Sequence, residues 1–191
     1  MGMLRDAARS KIIRGALGVF ALFLLAMGIF KIPVSSDTTQ RTVQAKINAT
    51  GLLQAIEGFY ATYGSLPQPA PAGKELLTEG EEGAKLLTVL LGKEDLGDSM
   101  QNKRQIRFLT VEETRVKTKG GLFYSKGGSG QRPEGLYDSW GHPFHVIFDS
   151  GHNLEIPDPL KPGNVVRNKV AIVYSYGKDG KPGGEDDIKT W

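Results

Sequence analysis

An α+β fold is the class this 191-residue chain predicts, and three observations predict it. An uncharged apolar stretch near the N-terminus runs into a segment whose apolar residues recur at helical spacing. After Asn102 the pattern changes to short apolar pieces between turns, which suits a small antiparallel sheet. The chain then closes on YSYGKDGKPGGEDDIKTW, residues 174–191, where glycines and acids follow an aromatic strand end.

The length suits one domain with an appendage. A net charge of +3 and a pI near 9.0 would ordinarily suggest nucleic acid. Here residues 1–14 hold Arg5, Arg9, Lys11 and Arg14 against Asp6 alone, which leaves 20 bases and 20 acids in residues 15–191. The excess charge is therefore a membrane-topology signal, and no nucleic-acid partner is expected. Gly15 to Phe30 reads GALGVFALFLLAMGIF, without a charge. From Ile12 to Val34 the stretch reaches the ~20 residues that cross a bilayer, with Arg14 and Lys31 snorkelling to the headgroups.

Residues 1–14 are thus expected as a cytoplasmic basic segment and 15–34 as a single transmembrane anchor. Residues 38–191 would then lie on the outer side, as a periplasmic domain of the kind a bacterial envelope accommodates. A cleavable secretory signal is the alternative, but Val34-Ser35-Ser36 is a poor substitute for an A-x-A site, and the destination is the same. The absence of cysteine means an exported domain built without disulfides.

Thr38 or Thr39 can cap an amphipathic helix over 38–64, with Val43, Ile47, Leu53, Ile56, Tyr60 and Tyr63 as its apolar positions. Tyr63-Gly64 ends it, and LPQPAPAG is a turn-rich connector. Residues 74–91 predict one further helix with Leu76, Leu77, Ala84, Leu87, Leu90 and Leu91 as its apolar set, interrupted near Gly80–Gly83. The sheet and the closing loop fall in 102–191. Its apolar pieces are 106–109, 121–124, 144–148 and 170–174, the last two separated by the turn IPDPLKPGN.

Asp138-Ser139-Trp140-Gly141-His142-Pro143 is a turn by its chemistry, and Trp140 is expected to anchor the sheet to the long helix. His142, His145 and His152 are not brought together by their spacing, so zinc is not expected. Lys126 to Gly130 lacks the glycine, lysine, Ser/Thr order of a phosphate loop, and no nucleophile elbow is present. Neither an enzyme nor a small-molecule substrate is expected. In the last loop Asp179 precedes Asp186 and Asp187 by seven and eight residues, and intervening glycines let the chain fold back. The spacing is not that of an EF-hand. From the residues alone, both a solvated acidic turn and a cation loop stay open, since Lys178, Lys181 and Lys189 can relieve the repulsion.

The apolar span running into an amphipathic helix, YATYGSLP at its end, YDSWGHPFHVIF at 137–148 and YSYGKDGKPGGEDDIKTW together resemble the pseudopilins of type II secretion systems. The likeness is strongest to the major pseudopilin and, behind it, the type IV pilin fold; residues 68–135 match weakly. The resemblance implies a pilin-like head, a structural role in a pseudopilus that serves protein export, and partners among other pseudopilin-like subunits and inner-membrane secretion components. It also implies a calcium ion held by Asp179 and one or both of Asp186 and Asp187, with main-chain carbonyls near Tyr176 and Lys181 completing the shell. One family feature is missing. Neither Gly15 nor Gly18 is followed by an acid inside the span, and the nearest downstream is Asp37. That departure implies either an unprocessed chain or a filament position with no need of the acid. A membrane-tethered, non-polymerising binding module of pilin-like fold is the alternative expectation.

Overall fold

The computed structural model describes residues 36–68, 75–124 and 132–191. The chain divides into Met1–Ser36 and Asp37–Trp191. The expected segments 1–14 and 15–34 lie outside the described residues, as do most of QPAPAG and the run 126–130. Among the described residues no helix is long and apolar enough to cross a membrane. Those residues form a mixed α+β unit with two α-helices and three small sheets.

Helix α1 (Ser36–Tyr63) occupies the segment expected for the amphipathic helix. Its chain is already helical at Ser36, so Thr38 and Thr39 lie inside the helix instead of capping it. Thr42 Oγ1 donates to the Thr38 carbonyl, and Arg41 pairs with Asp37 at 3.1 Å. The buried stripe also differs from the expected one: Val43 and Ile47 are 53% and 57% exposed, and Tyr60 is exposed too. Of the expected set Leu53 and Ile56 are buried, and the stripe runs through Ala45, Ala49, Leu52, Ile56 and Phe59, at alternating steps of four and three. The two alanines let the neighbouring layer approach the helix axis, a packing role that a pattern weighted on large side chains overlooks. Tyr63 continues the stripe, its ring 4.7 Å from Phe59 and its hydroxyl donating to Asn102 Oδ1 at 2.8 Å.

The second predicted helix is shorter than expected. Leu76 and Leu77 form strand β1 (Leu76–Leu77), and α2 covers only Gly80–Leu90. Leu76 faces Val146 across an antiparallel pair, which captures the leucines that helical spacing had claimed. The fully buried Thr78 fixes this departure: its hydroxyl donates to the Leu136 carbonyl and accepts the Phe144 N–H at 2.8 Å. Residues 106–109 are not a strand. Phe108 and Leu109 both donate to the Leu90 carbonyl at the end of α2, and the buried Asn102 holds the Ile106 backbone on both sides.

Strand β5 (His145–Phe148) pairs antiparallel with β8 (Ala171–Ser175), and β9 (Ile188–Lys189) completes the sheet order β1-β5-β8-β9. A second sheet orders β2 (Glu113–Thr114), β3 (Gly121–Phe123) and β4 (Gly135–Tyr137), with β2 parallel to β3. The segment read as a turn, IPDPLKPGN, does turn over 158–164, but the turn is the tip of a hairpin: Ile156 and Pro157 belong to β6 (Glu155–Pro157), which pairs with β7 (Val165–Arg167). All five β8 residues are buried. Ala171 and Val173 join the main core with Leu52, Ile56 and Phe59 of α1, and Ile172 packs on the other side with Ile156 and Val166 of the hairpin. A strand covered on both faces needs apolar residues at successive positions, which is why AIVY reads as one continuous run.

Candidate functional site

The closing residues 176–187 are the connection between β8 and β9, whose strands pair Tyr174 with Lys189 and Ser175 with Ile188. Thr190 extends the closure by bonding both the N–H and the carbonyl of Val173 at 3.1 Å. Trp191 packs edge-on to Tyr174 at 6.0 Å, and its Nε1 donates to Asp158 Oδ2. The ends of the loop are therefore fixed by the sheet.

Inside the loop each expected carboxylate accepts a backbone N–H. Asp186 Oδ2 takes that of Asp179 at 2.9 Å, Asp179 Oδ1 that of Lys181 at 2.8 Å, and Asp187 Oδ2 that of Gly183 at 2.8 Å. These bonds draw Asp179 and Asp186 together across the loop. Gly177 closes its base: a Cβ there would collide with the Asp186 carbonyl, and one at Gly184 would sit 2.7 Å from Asp186 Oδ1. The main chain thus packs around Asp186 in a space that only glycine leaves open.

The charges in the loop are unevenly satisfied. Backbone hydrogen bonds, that of Asp179 first, hold the Asp186 carboxyl below its ordinary range. Asp187 is pushed up, chiefly by desolvation, and the Asp186 and Asp179 charges add to the shift. Its Oδ1 is buried without a hydrogen-bond partner. An orphaned carboxylate oxygen among like charges, beside a glycine cradle, fits a hard cation in chemistry. The side chains alone are not a full ligand set: among the described residues no three acidic, imidazole or thiolate groups are placed to hold a metal. A cation here would need main-chain carbonyls as well. Lys181, one of the two carbonyl positions, lies on the exposed part of the loop; Tyr176, the other, packs its ring on His145 at 4.4 Å.

A second set of residues, in the turn before β5, reaches into the same loop. Asp138, fully buried, accepts the N–H groups of Trp140 and His142 at 2.8 and 2.9 Å on Oδ1. Its Oδ2 accepts the Ser175 hydroxyl, and Ser175 Oγ in turn accepts the Gly177 N–H at 3.1 Å. His142 Nδ1 donates to the Gly177 carbonyl at 2.8 Å. The turn and the acidic loop are thereby one hydrogen-bonded unit. The sequence marks both motifs but carries no signal for a link between residues 37 and 35 positions apart.

The remaining expectations are placed as follows. Trp140, partly buried, packs against the core that α1 and the sheets share, and Arg41 of α1 donates to the Ser139 carbonyl at 3.3 Å. His145 stacks on Tyr174 at 4.7 Å and bonds Glu75 through Nδ1 at 2.6 Å. His152 lies in an exposed turn with φ 52°. No family model matches the chain, and neither a curated protein nor a solved structure does.

Proposed function

We propose that the chain is a structural subunit of a pseudopilus-like assembly serving protein export, with an inner-membrane anchor and a pilin-like periplasmic head stapled by calcium. The observation that carries this reading is the β8–β9 loop, where Asp187 Oδ1 is buried without a partner beside Asp186 and Asp179. The order of elements supports it too: the 28-residue α1 directly follows the apolar stretch and gives one stripe to the core beneath the sheet. Asp179, Asp186 and Asp187 would supply side-chain oxygens, and the carbonyls of Tyr176 and Lys181 would complete the shell. Bound calcium supplies the positive charge that the three carboxylates lack. Gly177 and Gly184 keep the main chain close to Asp186, and the β8–β9 pairing fixes the loop ends. The head is then rigid enough to stack against other pseudopilin-like subunits.

The mature N-terminus, determined by mass spectrometry on protein from native membranes, tests the assembly together with cross-linking between copies. Trimming next to Gly15 or Gly18 and copy-to-copy cross-links are expected. An intact Met1 without such cross-links would sink the filament reading. It would favour a second one, a tethered non-polymerising module of the same fold. Two observations support that second reading: the apolar stretch holds no acid, and a cleft of about 580 Å³ lies between Arg41 and Gln44 of α1, the segment around Glu113 and Arg115, and Ser139.

A further inference from the structure

The acidic loop is shaped from outside itself, at Gly177. This residue is buried and is held by both of its polar groups. Its N–H donates to Ser175 Oγ, and its carbonyl accepts from His142 Nδ1 at 2.8 Å. A carbonyl only accepts, so Nδ1 of His142 carries the hydrogen. Both contacts lead to one carboxylate: Asp138 Oδ2 receives the Ser175 hydroxyl, and Asp138 Oδ1 receives the backbone N–H of His142. The imidazole also lies over the next part of the loop, since a Cβ at Gly180 would come within 3.2 Å of its Nε2.

We propose that His142 is a positioning residue for the acidic loop: its Nδ1–H holds the Gly177 carbonyl, and with it the Asp186 main chain that abuts Gly177, in the arrangement that receives a cation. The Asp138–Pro143 turn thereby sets part of the cation affinity of a loop it does not belong to. Displacing Gly177 moves the Asp186 backbone, and Asp186 Oδ2 is the acceptor that draws in the Asp179 N–H. A loop already held in its bound shape binds more tightly than one that must find it, by the fraction of time it spends there. The His142 side chain is 40% exposed, so replacing it leaves the core packing intact. The consequence for affinity rests on the calcium reading; the positioning rests on the contacts alone.

The test uses the full-length chain as wild type, His142→Leu and His142→Asn. Leucine keeps bulk without a donor, and asparagine offers an amide N–H close to where Nδ1 stood. Calcium affinity is measured by titration calorimetry. Hydrogen exchange of the amides of residues 177–181 and 183 is measured in chelator, with no ion present. One net hydrogen bond corresponds to about three- to tenfold in an equilibrium. His142→Leu is therefore expected to bind calcium about fivefold more weakly and to exchange the loop amides about fivefold faster. His142→Asn should return both to within about twofold of wild type. The proposal is overturned if His142→Leu matches wild type in both measurements, or if His142→Asn is as impaired as His142→Leu. If wild type takes up no calcium, the calcium reading falls and the exchange arm decides alone: faster exchange restored by asparagine supports the positioning role, and unchanged exchange overturns it.

Discussion

Asp187 is where the two states of the loop should differ most. Without an ion its carboxylate is desolvated, faces the charges of Asp186 and Asp179, and leaves Oδ1 unbonded. Its raised pKa means that the neutral form is favoured in the fold. The stabilisation that goes with it is present below the unfolded value of ~3.9 and is lost as pH rises through the folded pKa. Asp186, whose pKa is lowered, works in the opposite sense: its contribution is present at neutral pH and is lost as pH falls through its folded pKa. Asp187→Asn keeps an oxygen for the Gly183 N–H and removes the charge. In chelator the variant should therefore melt at or above the wild-type temperature at pH 7, with the gain vanishing below about pH 4. In calcium the order should reverse. Thermal unfolding by circular dichroism at the two pH values reads both arms, and a variant less stable than wild type in chelator at pH 7 would contradict this account of Asp187.

At the scale of elements, α1 divides into a stripe that holds the fold and a side that does not. Phe59 is 1% exposed, with rings of Tyr63 and Phe108 at 4.7 and 5.7 Å. Phe59→Ala should cost about 3–5 kcal/mol in urea unfolding. Ile47→Ala, on the exposed side, should cost under about 0.5 kcal/mol. Similar losses for the two would mean that the expected stripe through Val43 and Ile47 was the correct one. Strands β5 and β8 were legible because each centres on a run of β-branched and aromatic residues, VIF and IVY. The β6–β7 hairpin was not, because Pro157 and the Pro/Gly-rich tip hide three-residue strands whose partner is fixed only by Ile156 and Val166 packing on Ile172. Leu76 and Leu77 fit a helical pattern equally well; only the tertiary pairing with β5 and the bonds of Thr78 decide against it.

For the molecule as a whole, a helix followed by short strands and a closing loop was readable from the pattern of the chain, whereas the expected single antiparallel sheet is three sheets, one of them with a parallel pair. The acidic residues were readable as a group from their glycine spacing. The Asp138–Ser175–Gly177 and His142–Gly177 links were not, since they join distant residues through single atoms and leave no periodicity. What unites the scales is a domain closed by its last strand, with the acidic loop before that strand as the proposed cation site. The most direct test is the melting temperature of the full-length chain in calcium and in chelator at neutral pH. Calcium at a hundredfold excess over its dissociation constant contributes about 2.7 kcal/mol. That corresponds to a rise of roughly 5–10 °C for a chain of this size, and Asp179→Ala should abolish the rise. Superimposable curves for wild type in calcium and chelator would leave the loop a bare acidic turn and contradict the calcium-stapled head.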